Sequence, residues 1–155
     1  NKLLSNNFKM KFIILILSIC FITVGLCDGA MRKVEIKIGQ SVIVAEIAKS
    51  PSDQRRGLGY RDQLEANRGM LFVYNNPGVR SFWMKGMRFA IDIIWLRQGR
   101  IVLIEKNVQP SPIFKKNSHL KTYGSSVLAD MVLEVSAGFS DKMKLSLGQH
   151  ITINE

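Results

Sequence analysis

Two alternating segments around a two-residue connection constrain the fold of this chain most strongly. VEIKI (34–38) and SVIVAEIA (41–48) place apolar side chains at every second position, which is the period of a strand with one buried face. Only Gly39 and Gln40 separate the two segments, and we therefore predict an antiparallel β-hairpin.

The rest of the chain predicts further short strands joined by turns. Strand-like segments are GMLFVY (69–74), RSFWMK (80–85), FAIDIIWL (89–96), IVLIEKNV (101–108), MVLEV (131–135) and HITI (150–153). A helix over 51–57 is predicted from a serine cap at its start and Gly57 at its end. Residues 75–78 predict a turn, and AGFSDKMKL predicts one or two helical turns. About eight strands without a βαβ rhythm favour a mainly β sandwich or closed barrel.

Residues 1–27 have the pattern of an export signal. Three lysines precede a fifteen-residue apolar run, FIILILSICFITVGL (12–26), and Gly25-Leu26-Cys27 offers a cleavage site with small residues at both ends. The run is short for a membrane-spanning helix, which needs about 20 residues. We therefore predict a cleaved leader over 1–27 and a single β domain over 28–155, exported to the periplasm or secreted. The alternative is an uncleaved N-terminal membrane anchor.

Composition limits the partners and the chemistry of the predicted domain. Both cysteines, Cys20 and Cys27, lie in the leader, so the domain has no thiol for a disulfide or for catalysis. Removing the three leader lysines lowers the net charge from +10 to +7, which predicts weak attraction to anionic surfaces. The basic residues are scattered and lack interleaved aromatic residues, so nucleic acid is not an expected partner. We expect a monomer.

Two acidic residues lie inside apolar strands. In FAIDIIWL, Asp92 shares its strand face with two aliphatic residues, and in MVLEV Glu134 shares its face with Val132. A buried carboxylate needs a cation or several backbone N–H donors. The candidate cations are Arg56, Arg61 and Lys85, and we predict that Asp92 and Glu134 each pair with one of the two arginines.

The chain resembles domain-of-unknown-function family 192. RGLGYR (56–61), GMLFVY (69–74), FWMKGM (82–87), DIIW (92–95), Pro110, Tyr123 with Ser125, and VLEVSAG (132–138) carry this resemblance in order and spacing. The similarity spans about residues 34–153. It implies an exported or membrane-anchored bacterial or archaeal protein with a compact, jelly-roll-like β fold and no established activity.

The most economical functional interpretation is a non-catalytic module that binds a ligand or a protein of the cell envelope. Candidate binding residues are Arg61, Trp83, Lys85, Asp92 and Tyr123. Alternation in RSFWMK places Trp83 on the face opposite Phe82 and Met84, where partial exposure would suit stacking on a sugar. Residues 108–126 form a long polar segment that we expect to contribute to the binding surface.

Two other classes of function are considered, a hydrolase and a purely structural or accessory partner of another envelope protein. A hydrolase acting on envelope polysaccharide would use Asp92 and Glu134 as its acid and base, provided that both face one groove. The two histidines have no ligand spacing around them, so no metal and no cofactor is expected. Met84 and Met87 are interpreted as core residues rather than soft copper ligands.

Overall fold

The computed structural model describes residues 31–111, 120–124 and 126–154, and the predicted leader lies outside them. The described residues form nine strands and two short helices. The strands are β1 (Lys33–Ile38), β2 (Ser41–Ala48), β3 (Arg68–Val79), β4 (Phe82–Trp83), β5 (Ile91–Arg97), β6 (Arg100–Val108), β7 (Thr122–Tyr123), β8 (Leu128–Ser136) and β9 (Thr152–Asn154); the helices are α1 (Pro51–Arg56) and α2 (Phe139–Lys142). No helix in this part of the chain is long and apolar enough to cross a membrane.

Seven strands form one sheet in the order β6-β5-β8-β3-β2-β1-β9, and β4 pairs with β7 in a small second sheet. Neighbouring strands are antiparallel except β2 and β3, which run parallel with α1 in their connection. A bridge between Arg100 and His150 brings the two ends of the large sheet together locally, but the sheet does not close into a barrel. The predicted mainly β, sandwich-like class is therefore confirmed.

The predicted hairpin is present and buries its apolar positions. β1 and β2 pair from Lys33–Glu46 to Ile38–Ser41, and every second residue of β1 is buried. The predicted first helix is also present, because the Ser50 side chain accepts the N–H of Asp53 and Gly57 ends the helix with a positive φ.

The large sheet carries an apolar cluster on each face. The first cluster contains side chains of β1 and β2 together with Leu71, Ile94, Leu133 and Val135, and α2 contributes Phe139. The second cluster contains Met70, Phe72, Ile93, Trp95 and Val132, with Leu58 and Met84 packed onto it from the connections. Met84 and Met87 both belong to this second cluster, in agreement with their interpretation as core residues.

Two predicted features differ in the structure. The turn predicted at residues 75–78 does not end the strand, because β3 continues to Val79, but the pairing with β8 passes from Val73–Met131 to Gly78–Ala129 and leaves residues 74–77 without a partner in β8. The turn-forming residues are accommodated as an irregularity within a long strand. The strand predicted over 80–85 is reduced to Phe82–Trp83, which pairs with Thr122–Tyr123 of the long polar segment. Residues 112–119 of that segment lie outside the described residues.

Candidate functional site

Asp92 is fully buried and bonded to backbone N–H groups. Its Oδ1 accepts the N–H of Asn107 at 2.8 Å and that of Gly138 at 3.2 Å, and its Oδ2 accepts the N–H of Ser140 at 2.8 Å. The predicted pairing of Asp92 with an arginine is therefore wrong. The physical requirement behind the prediction is still met, because several backbone donors satisfy a buried carboxylate as well as a cation does.

The bonds of Asp92 fix where α2 begins. Gly138 precedes α2 and has no side chain of its own to cap the helix. Asp92 supplies that cap from β5, although Ser140 lies 48 positions later in the chain. Asp92 therefore joins β5, the end of β6 and the start of α2, and it has a structural role instead of the predicted ligand contact.

The two candidate arginines have other partners. Arg61 donates to both carboxylate oxygens of Glu46, at 2.8 and 2.6 Å. This bidentate hydrogen bonding is the main cause that lowers the pKa of Glu46 and raises that of Arg61. Arg56 lies 3.6 Å from Asp53 within α1. Arg61 thus ties the segment after α1 to β2, in a shallow groove that does not include Asp92 or Glu134.

Glu134 is buried without the predicted cation. Its side chain is 5% exposed, and Oε2 has no hydrogen-bond partner among the described residues. Burial raises the pKa of the Glu134 carboxyl group from 4.5 to about 8. The predicted pairing of Glu134 with an arginine is wrong, and the carboxyl group is instead held neutral at pH 7 by desolvation.

Glu134 lines a small open pocket between α1 and β4. We call this space, of about 100 Å³, the Glu134 pocket. It is lined by Gln54, Arg55, Arg56, Gly57, Leu58, Gly59, Phe72, Tyr74, Ser81, Phe82, Trp83, Lys85, Met87 and Glu134. The pocket therefore combines an apolar floor with several polar groups, the usual composition of a small-ligand site.

The floor of the pocket is held by aromatic packing. The rings of Phe72 and Phe82 meet edge to face with centroids 4.8 Å apart, and Phe82 meets the buried Trp95 in the same way at 5.9 Å. On the opposite wall, Gln54 donates to the backbone oxygens of Val73 and Ala48 at 3.0 and 3.3 Å, which fixes α1 against β3 and β2.

The rim carries an aromatic and a basic side chain. Trp83 is 45% exposed, whereas Phe82 is half-buried and Met84 is buried, so the predicted orientation of this segment is confirmed. The ammonium group of Lys85 lies 5.7 Å from the centre of the Trp83 ring, within cation–π range. Trp83 and Lys85, both candidates from sequence, are thus neighbours in one pocket.

Tyr74 is a lining residue that the sequence did not suggest. Burial raises the pKa of its hydroxyl group to about 12, and the nearby Glu134 acts in the same direction while Arg80 opposes it. The Arg80 guanidinium lies 3.9 Å from the centre of the Tyr74 ring. Tyr74 is therefore a neutral hydroxyl beside Glu134, and only its strand-like context in GMLFVY was visible in the sequence.

The remaining candidates lie elsewhere. Tyr123 pairs with Phe82 across β4 and β7, and the pocket lining does not include it. Lys121 lies 4.5 Å from the centre of its ring. Within residues 31–111, 120–124 and 126–154, no three His, Cys, Asp or Glu side chains come close enough to hold a metal ion.

Asp92 and Glu134 do not share a groove. In the antiparallel pairing of β5 and β8, Asp92 is opposite Val135, and Ile93 is opposite Glu134. Paired residues point to the same face and successive residues to opposite faces. The two carboxyl groups therefore lie on opposite sides of the sheet, which contradicts the hydrolase alternative that uses them as acid and base.

Comparisons with known proteins identify the fold and the family. No curated protein matches the chain. A crystal structure described as a “putative transcription regulator” from Sinorhizobium meliloti 1021 has 25% identity and a TM-score of 0.70, covering 80% of this chain and 95% of that one. A protein of unknown function from Novosphingobium aromaticivorans has 24% identity and a TM-score of 0.65, covering 77% of this chain and 83% of that one.

The family comparison covers most of the chain. Residues 28–153 match DUF192, described as “Uncharacterized ACR, COG1430”. This range contains the whole described structure except Asn154, including every residue that lines the Glu134 pocket. The chain belongs to domain-of-unknown-function family 192, as its sequence blocks indicated.

Proposed function

We propose that this protein is an exported, non-catalytic module of the cell envelope that binds a small ligand in the Glu134 pocket. The observation that supports the proposal most directly is the buried carboxyl group of Glu134, because Glu134 lines a pocket open to solvent and its Oε2 atom lacks a partner among the described residues. A buried polar atom left unpaired costs about 1–3 kcal/mol. A ligand that pairs with this carboxyl group from the pocket would offset that cost.

A binding role fits the pocket better than hydrolysis. Glu134 is the one carboxyl group among the described residues that line it, whereas glycoside hydrolysis uses two. The exposed Trp83 and the nearby Lys85 supply a stacking surface and a positive charge. These groups hold and orient a ligand without a second acid or base to act on it.

The envelope location is supported by sequence alone. Residues 1–27 have the basic, apolar and small-residue order of an export signal. The domain that follows carries a net charge of +7, which favours contact with anionic envelope components. Fractionation of cells expressing the full chain tests this part of the proposal, and recovery of the protein in the cytoplasm would contradict it.

Tryptophan quenching tests ligand binding on the full chain. The chain has two tryptophans; Trp95 is fully buried and Trp83 is exposed, so acrylamide reports on Trp83. We expect soluble fragments released from the cell envelope to protect Trp83 from acrylamide, and we expect mass spectrometry to recover them unchanged. Unaltered quenching with every fragment pool would contradict binding, and altered fragments would contradict the non-catalytic role.

A matched pair of variants assigns the protection to the pocket. Lys85→Ala removes a positive charge from the rim, and Lys37→Ala removes the same charge from the exposed side of β1. We expect Lys85→Ala to weaken the protection of Trp83 and Lys37→Ala to leave it unchanged. Equal weakening by both variants would indicate general attraction to a basic surface.

A further inference from the structure

We infer that the ligand of the Glu134 pocket carries a carboxylate, whose oxygen accepts a hydrogen bond from the carboxyl O–H of Glu134. The inference rests on the proposed function and specifies its ligand class. Glu134 lines the same pocket as Lys85 and Trp83, whose ammonium group and ring centre lie 5.7 Å apart, and the Oε2 atom of Glu134 has no partner among the described residues. A small acid with a flat or ring-shaped body fits these groups together.

The charges around Glu134 favour an anion. Arg55 and Arg56 face the pocket from α1, and Lys85 faces it from the segment after β4. The Asp53 carboxylate lies 3.6 Å from the Arg56 guanidinium and offsets part of its charge. From β3, Tyr74 contributes a neutral hydroxyl group, beside which Arg80 adds a further cation. With Glu134 neutral, the described lining residues carry three cations and no ionised acid.

The neutral state of Glu134 decides what it can bind. A protonated carboxyl group offers one O–H donor, and an O–H···O⁻ bond to a carboxylate is among the stronger hydrogen bonds in proteins. An ionised Glu134 would offer only acceptors and would repel the same ligand. Below the pKa of Glu134 the proton stays on its carboxyl group throughout, so binding there involves no covalent or proton-transfer step.

Binding is therefore linked to pH. The pKa of Glu134 is about 8 in the free protein, and a bound carboxylate would raise it further by like-charge repulsion. Below about pH 7, Glu134 is mostly protonated in the free protein and its O–H can donate to the ligand. Above the pKa of the free protein, binding requires proton uptake, and the affinity falls by up to about tenfold for each pH unit.

Three sugars with one ring and different charges test the ligand class. D-glucuronate, D-glucose and D-glucosamine present an anion, a neutral group and a cation near about pH 6.5, and their dissociation constants follow from the protection of Trp83 in the full chain. We expect glucuronate to bind at least about tenfold more tightly than glucose, which corresponds to about 1.4 kcal/mol, and glucosamine to bind most weakly. Equal affinities, or a preference for glucose or glucosamine, would overturn the inference.

Glu134→Gln separates the carboxyl proton from other pH effects. Glutamine keeps a donor of the same shape but does not titrate. We expect wild-type affinity for glucuronate to fall by about tenfold or more between about pH 7 and pH 9.5, and the variant to lose most of that dependence. The same pH dependence in both proteins, or no binding of glucuronate at tens of millimolar, would overturn the inference.

The two proposals fail in distinguishable ways. Protection of Trp83 by a neutral or cationic envelope fragment, without protection by glucuronate, would leave the binding function in place and overturn the carboxylate class. Lys85→Ala sharpens this distinction, because we expect it to weaken glucuronate binding severalfold more than it weakens glucose binding. Equal losses of affinity for both sugars would show that Lys85 recognises the shape of the ligand and not its charge. This result would overturn the argument for an anion.

Discussion

Asp92 and Glu134 occupy neighbouring strands, one register position apart, and point to opposite faces of the same sheet. Asp92 accepts three backbone N–H groups and organises the junction of β6 with α2. Glu134 points to the other face, where it lines the pocket and its Oε2 atom lacks a partner among the described residues. One sheet thus separates a carboxyl group that stabilises the fold from one that is available to a ligand.

Asp92→Asn is expected to destabilise the fold. The amide keeps one acceptor but turns an N–H donor towards the backbone donors that Asp92 now accepts, so at least one buried N–H loses its partner. We expect the free energy of unfolding in urea to fall by about 2–4 kcal/mol. Asp62→Asn is the matched control, because Asp62 lies in an exposed ion pair with Arg88; equal small effects of both variants would contradict the structural role of Asp92.

Stability is expected to fall as pH rises through the range in which Glu134 ionises. The pKa of Glu134 is about 8 in the folded state and about 4.5 when it is exposed. The unfolded state therefore loses its proton first, and stability declines from about pH 4.5 to pH 8 by up to the order of 5 kcal/mol, then levels off.

Glu134→Gln removes that titration. The variant is expected to be more stable than the wild type near about pH 8.5, where the wild-type protein has lost this contribution, and close to it near about pH 5. Urea unfolding at both pH values checks the difference. The quantity to compare is the stability of the variant minus that of the wild type. If this difference is the same at both pH values, Glu134 ionises with an ordinary pKa.

Arg61→Lys is expected to cost about 1 kcal/mol of stability at neutral pH. Lysine cannot form the two parallel bonds that Arg61 makes with Glu46, and the partial exposure of both side chains, 32% and 26%, limits the loss. Because the pKa of Glu46 is lowered in the folded state, the contribution of the pair is present above about pH 4.5 and is lost as pH falls below it.

The control for Arg61→Lys is Arg68→Lys. Arg68 makes one bond to Glu65, and both side chains are largely exposed. Acid unfolding curves of the two variants should differ above about pH 4.5 and converge at lower pH. A loss of stability in Arg61→Lys that persists unchanged in acid would contradict an electrostatic origin.

Gly124→Ala is expected to disturb the packing around Trp95. A Cβ atom at Gly124 would lie 2.2 Å from Cζ2 of the Trp95 ring, and φ at this glycine is +82°. Gly138→Ala is the matched control, because Gly138 has a similar φ of +83° with no atom within 4 Å of the added Cβ. We expect Gly124→Ala to lose about 2 kcal/mol more than Gly138→Ala, and equal losses would show that the indole is free to move.

Alternation and capping residues predicted much of the fold. The β1–β2 hairpin, α1 with its Ser50 cap, and the exposed side of Trp83 follow from local sequence, because each depends on neighbouring residues. The residues predicted to turn at 75–78 lie where β3 leaves its pairing with β8 after Val73, and the pairing resumes at Gly78, so they interrupt the pairing without ending the strand.

The partners of Asp92 and Glu134 could not be predicted in this way. Asp92 is satisfied by N–H groups at positions 107, 138 and 140, and backbone donors leave no mark in the side-chain sequence. The setting of Glu134 depends on α1 packing beside β3 and β4, which places Arg56 and Lys85 at its pocket. Strand periodicity predicted that the Glu134 carboxyl group is buried. It could not predict which residues lie beside it, because they come from distant elements that the fold brings together.

The titration of the Glu134 carboxyl carbon by NMR tests the account most directly. Glu134→Gln assigns the signal, and the full chain is titrated with and without D-glucuronate. The account predicts a midpoint near pH 8 in the free protein and a higher midpoint when glucuronate is bound. A midpoint near the ordinary glutamate value, or one that glucuronate leaves unchanged or lowers, would contradict it.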